Sequence, residues 1–111
     1  MPGAPDQLDA VPWRETRYPG VAVHFYHSDK TTRRVLALIR MAPGCGYPAH
    51  RHTASEEVLV LQGSYRDELG TYRQGQLVRY EAGSEHSPRA LDAGPACVLL
   101  ALAHEGVKLL A

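Results

Sequence analysis

Nowhere along the 111 residues do apolar side chains recur at helical spacing for three turns. They come instead in short runs, "VAVHFY", "RVLALIRM", "EEVLVLQ", "QLVRY" and "ACVLLAL", broken by "SDKTT", "APGCG", "QGS", "EAGS" and "LDAGP". Runs of this length bounded by turn chemistry read as strands. The predicted strands are Val21 to Tyr26, Arg34 to Met41, Glu56 to Gln62, Gln76 to Tyr80 and Ala96 to Leu102, with shorter pieces around Tyr65, Tyr72 and His86. "ACVLLALA" has a helix-like composition, but its brevity and the Gly-Pro before it argue for a buried strand. The chain is predicted to be all-β, a sandwich or barrel.

Its length is that of one domain. Residues 1–12, rich in Pro, Gly and Asp, read as a flexible arm, and residues 13–111 as the folded domain. Twelve basic residues balance twelve acidic ones without a block of either sign. Phosphate recognition needs a basic stripe, so nucleic acid is not an expected partner. Cys45 and Cys97 match no paired-cysteine spacing and read as free thiols. With no apolar start and no run of membrane-spanning length, no membrane association is expected, and the expected compartment is the cytoplasm.

Within that β pattern lies an awkward polar stretch, "HRHTASEE", from His50 to Glu57. Imidazole and carboxylate are costly to bury unless paired or bound to a metal. Residues two apart on a strand share a face, so His50 and His52 project together and Arg51 away from them. If extended geometry carries through "TAS", Glu56 shares their side and Glu57 does not. His86, after the turn "EAGSE", can return to the same pocket from another strand. Mixed nitrogen and oxygen donors of this kind suit Zn(II), Fe(II), Mn(II), Ni(II) or Cu(II). An exposed hairpin with surface histidines would also account for an isolated H-x-H. His24, His27 and His104 have no partners at ligand spacing. Tyr47, Tyr65, Tyr72 and Tyr80 read as packing, and Arg40 and Arg79 as edge arginines.

Gly44, five residues, His50-x-His52, three residues, Glu56, six residues, Gly63 resembles the first motif of the cupin superfamily. Gly75, five residues, then "EAGSEH" resembles the second, with Glu81 and Ala90 where proline and asparagine are usual. From Trp13 to about Leu102 the chain is similar to the ChrR-type cupin, the C-terminal domain of certain zinc-binding anti-sigma factors. That resemblance implies a double-stranded β-helix, a jelly-roll barrel. It implies one divalent metal per chain, Zn or Fe(II) first and Mn, Ni or Cu next, held by His50, His52, Glu56 and His86. It also implies a homodimer. Gly44, Gly63, Gly75 and Gly83 are expected at chain reversals.

Three functions are compatible with this resemblance. Some relatives resemble diketone-cleaving dioxygenases, which implies an Fe(II) oxygenase acting on a small dicarbonyl-like molecule. ChrR-type regulators imply a sensor or binding domain, although only the arm of residues 1–12 precedes the cupin where those regulators carry the part that grips the sigma factor. A four-ligand structural zinc is the third.

Overall fold

A computed structural model describes residues 8–104 and the strand at 107–109. Twelve strands run in chain order among these residues: β1 (Arg14–Glu15), β2 (Val21–Ser28), β3 (Val35–Met41), β4 (His50–His52), β5 (Glu56–Gln62), β6 (Ser64–Asp67), β7 (Gly70–Arg73), β8 (Leu77–Tyr80), β9 (Glu85–His86), β10 (Arg89–Ala90), β11 (Cys97–Ala103) and β12 (Val107–Leu109). The five long strands expected from the sequence are all present, with ends shifted by at most two residues. The pieces around Tyr65, Tyr72 and His86 are β6, β7 and β9. Most of the expected arm lies outside the described residues. Of it, Leu8 and Asp9 are helical, and the Trp13 indole donates to the Leu8 carbonyl at 2.9 Å.

The strands form a six-stranded antiparallel sheet, ordered β1-β2-β3-β11-β5-β8, and two three-stranded sheets, β10-β6-β7 and β12-β4-β9. β11 sits between β3 and β5, far from both in sequence, and this nonlocal pairing wraps the chain into a jelly roll. Period-two alternation sets which side chains face the core. On β5, Val58 and Val60 are buried, and on β11 so are Cys97, Leu99 and Ala101. They pack with Val21, Met41, Tyr65, Tyr80 and Ala90. Burying such a set removes several side chains' worth of apolar surface from water, with Val21, Met41, Val58, Val60 and Leu99 each contributing about 1.5–3 kcal/mol. β11 reads as unbroken apolar sequence because its other face is also partly covered. There Leu100 lies with Leu8, Val11, Tyr26, Leu36, Leu38 and Leu61 around a shallow hollow.

Gly44, Gly63, Gly75 and Gly83 all adopt positive φ, between 70° and 91°. At Gly63 a side chain would also stand 2.7 Å from the Ala96 carbonyl oxygen. Gly46 is constrained differently. Its backbone bridges to Arg89, and a Cβ would run into the Pro88 carbonyl oxygen. That contact holds the loop before β4 against the segment after β9.

Candidate metal centre

β4 presents His50 and His52 on one side and Arg51 on the other, where it pairs with Glu85 at 2.9 Å. His50 lies opposite His86 in the β4–β9 ladder. The "EAGSE" turn is tied to β4 by its backbone: Gly83 N–H donates to the His52 carbonyl at 2.7 Å, and His52 N–H to the Ser84 carbonyl at 2.9 Å. Those two bonds deliver His86 to the pair. The three imidazoles are buried, at 6%, 1% and 5% exposure, and a ring nitrogen of each lies within 4.8 Å of the others.

Hydrogen bonds determine which nitrogens are free. Nδ1 of His50 is 3.1 Å from the Pro48 carbonyl, which can only accept, so Nδ1 carries the proton and Nε2 is bare. Nδ1 of His86 donates to Oδ2 of Asp67 at 3.0 Å, leaving its Nε2 bare as well. Nε2 of His52 faces Nε2 of His86 at 3.0 Å. With Nε2 of His86 bare, His52 carries its proton on Nε2 and donates across that gap, and a metal ion would take the place of that proton. Burial lowers the pKa of all three histidines, and the neighbouring imidazoles add to the effect at His52, which falls to about 4. They are neutral at pH 7, the protonation state a metal needs. The donor set fits a borderline divalent ion.

Glu56 is the remaining expected ligand, and it lies beside the trio. It begins β5 on the face shared with Val58 and Val60, and its Oε1 is 3.5 Å from Nδ1 of His52. Burial, then the charge of Glu57, raise its carboxyl to about pH 7. Glu57 faces the other way, toward Arg79 at 3.2 Å and His104 at 2.8 Å. That contact gives His104 a partner which sequence spacing did not suggest.

A cavity of about 160 Å³ adjoins the centre. His50, Glu56 and His86 supply polar groups to it, and Ile39, Met41, Val58 and Leu99 its aliphatic surface; Tyr47, Tyr65 and Pro88 complete the lining. Burial pushes the Tyr47 hydroxyl up to about 12, so it stays protonated. Tyr80, read as packing from the sequence, stacks on His52 with ring centroids 5.1 Å apart and an interplanar angle of 10°.

Asp67 escaped the sequence reading altogether. The signal was parity: on "SYRD" it shares a face with Tyr65, hence with the core. Its side chain is 0% exposed.

The sequence matches the ChrR cupin-like domain over residues 5–105. No curated protein matches it. Among solved structures it resembles a chain of the Rhodobacter sphaeroides SigE complex with the anti-sigma ChrR, at 31% identity and TM-score 0.76, covering 86% of this chain and 50% of that one. It also resembles an RmlC-like cupin protein from Ralstonia eutropha JMP134 (21% identity, TM-score 0.81, 93% and 73% covered). A third is a putative acetylacetone dioxygenase from Methylibium petroleiphilum PM1 (16% identity, TM-score 0.82, 95% and 78% covered). With its motifs, its jelly roll and a match over nearly its whole length, the chain belongs to the ChrR cupin-like family.

Proposed function

We propose that this cupin is a metal-dependent oxygenase acting on a small dicarbonyl-like molecule. The observation that carries the reading is the apolar cavity of about 160 Å³ beside the three histidines. An engineered apolar cavity of about 150 Å³ takes benzene. A chelating head with a short aliphatic tail is therefore the right size. Among the described residues no Lys or Arg lines this cavity, so no side-chain cation there pairs with a substrate carboxylate. In this reading His50, His52 and His86 hold the ion, with Glu56 as fourth ligand. A bound Fe(II) would supply Lewis-acid and redox chemistry. Ile39, Met41, Val58 and Leu99 would bind the tail and exclude water, and the protonated Tyr47 would offer a donor at the wall.

A second reading is favoured by the 31% identity to the ChrR-complex chain: a sensor or binding domain in which metal holds the barrel and nothing turns over. To distinguish them, the metal-free protein is loaded anaerobically with Fe(II), given pentane-2,4-dione and exposed to air. Oxygen uptake with carbon–carbon cleavage products, lost in His86→Ala, is the expected result. Absence of turnover across a panel of dicarbonyls, together with tight four-coordinate zinc, would replace the oxygenase with the sensor.

A further inference from the structure

We propose that Asp67 is the positioning residue for His86, and that Tyr80 and Tyr65 stand behind it in one hydrogen-bonded chain running from the cavity wall to the metal centre. The inference rests on the metal reading above and adds residues outside the expected ligand set.

Asp67 ends β6 with no exposed side-chain surface. A buried carboxylate is costly unless its oxygens are hydrogen-bonded and its charge is compensated. Both oxygens here are satisfied. Oδ2 accepts from Nδ1 of His86 at 3.0 Å and from the Tyr80 hydroxyl at 2.7 Å. Oδ1 accepts from the Leu69 N–H at 2.9 Å and from the Tyr72 hydroxyl at 3.3 Å. Since Tyr80 spends its proton on Asp67, its oxygen accepts from Tyr65, 2.7 Å away, and Tyr65 itself lines the cavity.

Among the described residues the one ion pair of Asp67 is with His86, through the 3.0 Å contact of Oδ2 with Nδ1. A cation at Nε2 of His86 would strengthen that contact through the ring. The three histidines thus differ at Nδ1: His50 has a backbone carbonyl at 3.1 Å, His86 the Asp67 carboxylate at 3.0 Å, and His52 only the more distant Glu56 carboxyl at 3.5 Å. An anionic partner at Nδ1 locks the ring orientation, keeps the proton on Nδ1 and raises the basicity of Nε2. The chain of donors explains why Tyr80 is a tyrosine when its ring already packs on His52 and His86.

The test uses the full chain with nitrogen-15-labelled histidine. In the metal-free protein near pH 7.5, imidazole correlations should show His86 protonated at Nδ1. Asp67→Asn should shift His86 toward a mixture of tautomers and leave His50 unchanged. Zinc affinity, read by competition with a chromophoric chelator, should fall about 10–100-fold in that variant. Tyr80→Phe should lose less, and Tyr65→Phe less again. A wild-type His86 protonated at Nε2 would overturn the proposal. So would zinc affinity within about threefold of wild type in a folded Asp67→Asn, against the loss expected of such partners. Should Asp67→Asn fail to fold, the wild-type tautomer and Tyr80→Phe decide, and an unweakened Tyr80→Phe counts against the chain. A wild-type protein that binds no zinc would instead sink the metal reading, while the tautomer measurement still judges Asp67.

Discussion

His50 and His86 are direct partners across the β4–β9 ladder, with ring centroids 4.5 Å apart, although 35 residues separate them along the chain. β9 is only two residues long, so this pairing relies on the turn bonds to His52 for its register. Replacing His50 and His52 together with alanine should abolish stoichiometric metal binding, measured by elemental analysis after desalting. Full retention by the double variant would mean the ion, if any, binds elsewhere.

Glu56 and Glu57 should separate cleanly. Glu56→Gln removes the carboxylate on the cavity side and should weaken metal retention markedly. Glu57→Gln should change it little, because that side chain is engaged with Arg79 and His104 on the outer face. Chelator competition on the two variants checks this. The reverse order would show that Glu56 does not reach the ion.

Acid should destabilise the metal-free protein. Burial depresses all three site histidines below 6.5, and His52 falls to about 4. A depressed imidazole binds fewer protons folded than unfolded, so its contribution is complete above about pH 6.5 and is lost as pH falls, for His52 down to about 4. Glu56 works in the opposite sense. With its carboxyl raised from 4.5 to about 7, its contribution is present below 4.5 and lost as pH rises through about 7. Three groups against one should leave Tm lower at pH 5 than at pH 7. A flat or rising Tm toward acid would contradict the burial of neutral imidazoles.

Metal affinity should fall over the same acid range, since protons compete for every ligand nitrogen. Titration with zinc at pH 5, 6 and 7.5 tests it; equal affinity throughout would count against a three-histidine site.

Gly46→Ala should destabilise the fold by about 1–3 kcal/mol, the usual range for a forced local clash. The new methyl would meet the Pro88 backbone, which has no flexible end to swing away. Because Pro88 also lines the cavity, the variant should weaken metal binding too. Urea denaturation of the metal-free variant isolates the stability effect, and an unchanged midpoint would show that the loop relaxes freely.

Much of this protein was written locally. Short apolar runs between glycine- and proline-bearing turns identify the strands, because alternation and turn chemistry act over a few residues. The same parity correctly turned Glu56 inward and Glu57 outward, and the positive φ values at Gly44, Gly63, Gly75 and Gly83 follow from their places in reversals. What depended on tertiary structure was nonlocal. Placing β11 between β3 and β5, backing His86 with Asp67 and stacking Tyr80 on His52 all join residues from distant strands. No spacing rule reports such contacts, for they arise only when the sheets curl over one another. Gly46 shows the same division: nothing in its own backbone angle demands glycine, and only the Pro88 carbonyl arriving from 42 residues away makes a side chain impossible there.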